Sequence, residues 1–117
     1  MVIVLDIPES TPSLNVSQRL HWAKRHQLRA KWGWLVRVAR LDAKVFPKEP
    51  LTRAKLTFDR FGPKPLDYTN LVGGCKILED CLVREGFILD DKPECIGQPK
   101  YSQNIGPRRT IIRIEPA

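Results

Sequence analysis

Residues 67–91 read DYTNLVGGCKILEDCLVREGFILDD, and the spacing of their apolar residues decides how the rest of the chain is read. Leu71, Cys75, Leu78 and Leu82 stand 4, 3 and 4 positions apart. That interval puts all four on one side of an α-helix, so a helix with a single buried stripe is expected over about Asn70–Glu85. Gly86 is placed to stop it, because glycine accepts the left-handed conformation in which many helices end. Phe87–Leu89 is a short apolar step, and Asp90–Pro93 (DDKP) reads as a turn. A one-sided helix needs a second layer to cover its stripe, and the flanking sequence supplies strands.

Upstream, Leu51–Phe61 (LTRAKLTFDRF) alternates: Ala54, Leu56, Phe58 and Arg60 share one face, while Leu51, Arg53, Lys55, Thr57 and Asp59 share the other. This is the period of a half-buried strand, and Gly62–Pro65 (GPKP) breaks it. Val2–Ile7 (VIVLDI) is a β-branched run closed by Pro8, an opening strand. Glu9–Ser17 is polar and turn-rich. A long helix is expected next, from about Val16 or Gln18 to Ala43, with Leu28, Trp32, Leu35 and Ala39 as its stripe. Gly33 inside it costs about 1 kcal/mol relative to alanine. Downstream, Gln98–Gln103 can form a strand despite Pro99, and Arg109–Glu115 (RTIIRIE) is a firmer one. Asn104–Pro107 (NIGP) is expected to join them as a hairpin loop. The order β-α-β-α-β-β describes an α+β fold with a single mixed sheet and two main helices, in one domain over residues 1–117.

Composition narrows the function. The 117 residues carry a formal charge of +7, which favours a polyanionic partner. No stretch has the roughly 18 consecutive apolar residues of a membrane span. Met1–Pro8 lacks a basic leader and carries Asp6, so it reads as a strand, not a signal peptide. The three cysteines, Cys75, Cys81 and Cys95, form no CxxC pair and stand apart from both histidines, which argues against disulfides and zinc. A cytoplasmic setting is expected.

Three features carry candidate chemistry. Between Arg19 and Lys44 lie Arg19, Lys24, Arg25, Arg29, Lys31, Arg37, Arg40 and Lys44, against the single acid Asp42. Cations held on a helix can match the spacing of phosphates, and solvated faces usually mix both signs. Trp22 and Trp34 are interleaved and suit stacking on unpaired bases; Trp32 belongs to the core stripe. Second, Asp67 follows a strand, precedes a helix and lies near Lys64. It can ligate a hard cation beside phosphate, although alone it reads as a helix cap. Third, Asp90–Asp91 follows a short strand and alone reads as turn chemistry. Lys76 and Asp80 are one helical turn apart and can form a surface ion pair. His21 and His26 have no partners for a nucleophilic triad, and Gly73–Gly74 is not a phosphate-loop pattern.

Together these residues resemble the core of RusA-type Holliday junction resolvases. That family has an Asp-x-Asp-Asn-Leu step into a helix bearing a Lys, then an Asp-x-Leu pair, a Gly and an Asp-Asp. The matching residues are Asp67, Asn70, Leu71, Lys76, Asp80, Leu82, Gly86, Asp90 and Asp91. Pro12–Asn15 (PSLN) and His21–Trp22 are similar to phage-borne members. The resemblance implies a homodimer that nicks opposing strands of a four-way DNA junction, with Mg2+ (or Mn2+) as cofactor. It implies Asp67 and Asp91 as metal ligands, Asp90 as a nearby or substitute ligand, and Lys76 as a stabiliser of charge on the scissile phosphate. Arg19, Lys24, Arg25, Arg29, Arg37, Arg40 and Lys64 are the expected DNA contacts. One position departs: Thr69 stands where the family has its second Asp. A hydroxyl is a poorer Mg2+ ligand and removes one negative charge, so Asp90, Asp80 or a water is left to compensate. Two alternatives stay open, a junction-binding protein of the same fold that does not cut, and a basic RNA-binding protein.

Overall fold

A computed structural model describes residues 2–117; Met1, the first residue of the stretch weighed as a leader, lies outside them. The elements are β1 (Ile3–Ile7), α1 (Leu14–Arg19), α2 (Trp22–Asp42), β2 (Ala54–Gly62), α3 (Tyr68–Arg84), α4 (Pro93–Ile96), β3 (Lys100–Ile105) and β4 (Arg109–Pro116). The strands form one mixed sheet in the order β1-β4-β2-β3. β4 runs antiparallel to both β1 and β2, and β3 runs parallel to β2. The fold is α+β, with two main helices against a single sheet.

The expected core stripe of α3 is buried in full and that of α2 in part. On α3, Leu71, Cys75, Leu78 and Leu82 are all closed to solvent; on α2, Trp32, Val36 and Ala39 are, with Leu28 and Leu35 packed alongside. They join Leu5, Ile7, Leu56, Phe58, Ile112 and Ile114 of the sheet in one cluster. The opposite sheet face is mixed: Asp6 pairs there with Arg109 and Asp59 with Arg113, beside Val4, Phe61 and Ile111. Arg60 shares the apolar parity of β2 and is itself buried, its Nε donating to the Thr11 carbonyl at 2.9 Å. That bond ties the Pro12–Asn15 segment to the sheet.

Three expectations are corrected. The first long helix is two helices. Leu20 and His21 are extended (ψ 142° and 151°), and the His21 ring accepts the Ala23 N–H at 3.4 Å, which starts α2 afresh. Histidine is not among the strong capping residues, so nothing in the sequence marked the break. Asn104–Pro107 does not close a hairpin, because β2 lies between β3 and β4 and the loop carries the chain across it. β3 is held there by Tyr101 stacked on Phe58 (5.6 Å between centroids) and by Gln103, whose side chain bonds both the N–H and the carbonyl of Leu66. Finally, Gln98 and Pro99 precede the strand, and Pro93 opens the short helix α4 from its first position, where a missing N–H costs nothing.

Candidate functional site

The N-terminus of α3 is built by Asp67. Its Oδ1 accepts the Asn70 N–H at 2.9 Å and its Oδ2 accepts the Asn70 side-chain amide at 2.8 Å. Asn70 in turn accepts the Asn15 N–H at 2.9 Å, so the Asp67–Asn70 pair clamps the Pro12–Asn15 segment onto α3. Donation from the Asn70 N–H, then from its amide, holds the Asp67 carboxyl below its ordinary range. Gly73 and Gly74 let the same segment lie close. A Cβ on Gly74 would stand 2.0 Å from the Pro12 carbonyl oxygen, and one on Gly73 would run into Leu14. The PSLN and GG pieces of the motif are thus two sides of one contact.

Beside that contact α1, α2 and α3 enclose a recess of about 200 Å³. Arg25 and Arg29 enter it from α2, and Lys76 and Asp80 from α3. Candidate DNA contacts and a candidate catalytic residue, 51 positions apart in the case of Arg25 and Lys76, share this recess. Lys76 pairs with Glu79 (3.6 Å between Nζ and Oε2), not with Asp80.

Asp90 and Asp91 follow Phe87–Ile88, whose backbone is anchored to Leu51. The Asp91 N–H donates to Asp90 Oδ1 at 2.7 Å, and Lys92 approaches Asp90 at 3.5 Å. The Asp91 carboxyl is pushed up by its contact with the Asp90 carboxylate, then by burial and by the charge of Asp80. Asp90 moves the other way, because the Asp91 N–H donates to it. Asp91 also acts on Glu79, whose carboxyl is raised first by burial and then, against the opposing pull of Lys76, by Asp91 and Asp80. Asp80, Asp90, Asp91 and Glu79 are therefore one electrostatic neighbourhood. Asp67 has its hydrogen bonds on Asn70 at the far end of the helix.

Glu79 was not singled out in the sequence, yet it stands four residues after Cys75, within the α3 stripe. A charged residue at a core position was the available signal. Other expected contacts divide. Arg19, Lys24 and Lys64 are exposed. Arg37 and Arg40 instead close on the buried Glu85, at 3.1 and 3.3 Å. Trp22 and Trp34 are 69% and 65% exposed, which leaves their rings available for stacking, whereas Trp32 is buried.

No protein-family model matches this chain, and no curated protein does either. No helix among the described residues is long and apolar enough to cross a membrane. Among the described residues, no group of three or more His, Cys, Asp or Glu side chains is already gathered at metal-binding distance. Mg2+ does not require one, since it is usually bound by one or two carboxylates and completes its shell with water and substrate phosphate. The donor set around Asp91 fits that mode. It is all oxygen and acidic, with the charges of Asp90 and Asp80 both acting on Asp91.

Proposed function

We propose that this chain is a Mg2+-dependent endonuclease that cuts branched DNA, acting as a homodimer in the manner of the RusA-type resolvases it resembles. The observation that carries the reading is the recess in which Arg25 and Arg29 meet Lys76 and Asp80, with the charge of Asp80 felt at Asp91. A bound divalent ion would activate water and offset the charge that grows on the phosphate. The residues of the chain do the rest. Arg25, Arg29 and the exposed Arg19 and Lys24 hold the backbone on either side of the scissile bond. Lys76, 64% exposed at its side chain, is free to swing from Glu79 toward the reacting phosphate. Asp80 is the carboxylate within the recess, and Asp91, its backbone N–H held by Asp90, supplies the second. Asp67 fixes the α3 terminus and the segment that walls the recess. Trp22, at the head of α2, offers a platform for a base left unpaired at the junction.

Incubation with a synthetic four-way junction and Mg2+ tests this. Paired nicks in opposed strands are expected, and Asp91→Asn should abolish them. A folded wild-type protein that binds the junction and leaves it whole in both Mg2+ and Mn2+ overturns the claim of cutting. A second reading, junction binding without hydrolysis, is favoured by the exposed, neutral Thr69 in the first turn of α3. Under it, Thr69→Asp restores cutting.

A further inference from the structure

We propose that the open side of β1 is a dimerisation surface, at which a second copy of this chain adds its own β1 antiparallel about a two-fold axis through Val4. The inference rests on the homodimer proposed above and names its interface.

β1 stands at one end of the sheet: β4 bonds it on one side, and among the described residues no strand takes the other. Alternate residues of an antiparallel strand bond to alternate sides. The Ala117 N–H donates to the Arg53 carbonyl, and the register carries that alternation through β4 to β1. Ile3, Leu5 and Ile7 therefore bond to β4, while Val4 and Asp6 turn their N–H and C=O groups away from the sheet. Natural edges are commonly blunted by lysine, proline or a bulge. β1 has none of these within it. Its five residues pair with β4 without a break. Its side chains away from the core are Val4, 44% exposed, and Asp6, whose charge is taken by Arg109. The other edge, β3, is polar by contrast, with Lys100, Ser102, Gln103 and Asn104.

Two hollows border the open side of β1. One, of about 690 Å³, lies between Val2 and Val4 and the segment that carries Val45, Phe46 and Pro47. The other, of about 420 Å³, lies between Val4, Asp6 and Pro8 and the end of α2 at Ala39 and Asp42. Val2 and Phe46 are themselves more than half exposed. An apolar strip thus runs along an unpaired backbone, with room beside it.

Charge selects the occupant. The chain as a whole carries +7, so two copies repel over most of their surface. At this edge the charges balance, Lys44, Lys48 and Arg109 standing against Asp6, Asp42 and Glu49. DNA or an acidic protein finds no excess of cations here, whereas an identical strand meets no repulsion. A two-fold through Val4 sets Val4 beside Val4 and Asp6 opposite Val2, so no like charges face each other across the new ladder. Two four-stranded sheets then become one, with two symmetry-related recesses of Arg25, Arg29 and Lys76, one for each DNA strand to be nicked.

Sedimentation of the full chain over a range of concentrations tests this, together with amide hydrogen exchange. The wild type should dimerise. Val4→Lys sets two ammonium groups side by side at the axis and should weaken dimerisation at least about a hundredfold. The position is exposed, so the variant should fold, which circular dichroism checks. Val4→Thr should stay within about fivefold of the wild type, and Asn104→Lys, on the β3 edge, should dimerise as the wild type does. In the dimer the Val4 and Asp6 amides should exchange slowly, and dilution to monomer should release them while those of Leu5 and Ile7 stay protected. A wild type that sediments as a monomer overturns the interface and the homodimer together, and cutting by that monomer leaves the endonuclease reading in place. A Val4→Lys protein that dimerises like the wild type, or Val4 and Asp6 amides that exchange freely in the dimer, overturns the β1 interface alone.

Discussion

Lys24, Arg25 and Arg29, in the first half of α2, have no carboxylate among the described residues at ion-pair distance, whereas Arg37 and Arg40, in its second half, converge on Glu85 of α3. The sequence shows four cations in the first half (Lys24, Arg25, Arg29 and Lys31, the last paired with Glu9) and two in the second, and nothing local says which are engaged. The acid that separates them lies nearly fifty residues away, at the end of α3. It is 9% exposed as a residue, so its two arginines are its substitute for water. A cation is available to DNA only where no buried acid has claimed it. On the proposed reading the first half of α2 is the phosphate-binding half, while the second half holds α2 to α3.

The largest expected effect is at the free half. Arg25→Ala with Arg29→Ala should weaken junction binding about a hundredfold, about tenfold for each charge-assisted contact. The log–log salt slope should fall by about 0.9 per residue. Arg37→Ala should leave that slope unchanged; if it lowers the slope as Arg25→Ala does, the division of α2 fails. Next in size, Glu85→Ala should destabilise the fold by about 2 kcal/mol in urea denaturation. That is below the penalty for breaking a fully buried pair, since Arg37 is half exposed. The same variant should strengthen salt-dependent DNA binding, because it frees two cations. A stable Glu85→Ala protein would contradict the structural role given to the second half.

Gly33 sits between the halves, and a Cβ there would meet nothing nearer than Arg84 Nη1 at 3.9 Å. Gly33→Ala should therefore raise stability by about 0.5–1 kcal/mol through helix propensity alone, with DNA affinity unchanged. Gly74 is the contrast, because its Cβ would strike the Pro12 backbone. The smallest effect concerns Asp67. Its carboxyl titrates below the ordinary value because Asn70 donates to it. The stability it contributes is present above about pH 4, its unfolded range, and is lost as pH falls through the depressed folded value. Asn70→Ala should shift the Asp67 carboxyl signal upward in an NMR titration, toward the ordinary range. No shift would mean that the Asn70 amide does not hold it.

Local pattern made much of this fold legible. The stripe of α3, the alternation of β2 and the isoleucine-rich β4 follow from residue spacing and bury as spaced, whereas α2 buries Trp32 and Ala39 of its expected stripe, adds Val36, and leaves Leu28 and Leu35 half-buried. What escaped was set by partners remote in sequence. The break at Leu20–His21 depends on a histidine ring acting as a cap. The place of β3 beside β2 depends on Tyr101 finding Phe58 and on Gln103 finding Leu66. The candidate site divides in the same way. Asp67 and Asp91 stand out because acids flank a helix, and Arg25 and Arg29 because cations share a face. Glu79 was hidden by a stripe read for apolar residues only, and the engagement of Arg37 and Arg40 by an acid on another helix.

The account depends on a divalent ion lodging beside Asp91, at the mouth of the recess formed by Arg25, Arg29 and Lys76. Anomalous diffraction from crystals soaked in Mn2+ locates such an ion directly. The account predicts a peak within coordination distance of Asp91, facing that recess. Full-occupancy Mn2+ elsewhere on the surface, with none at Asp91, would contradict it.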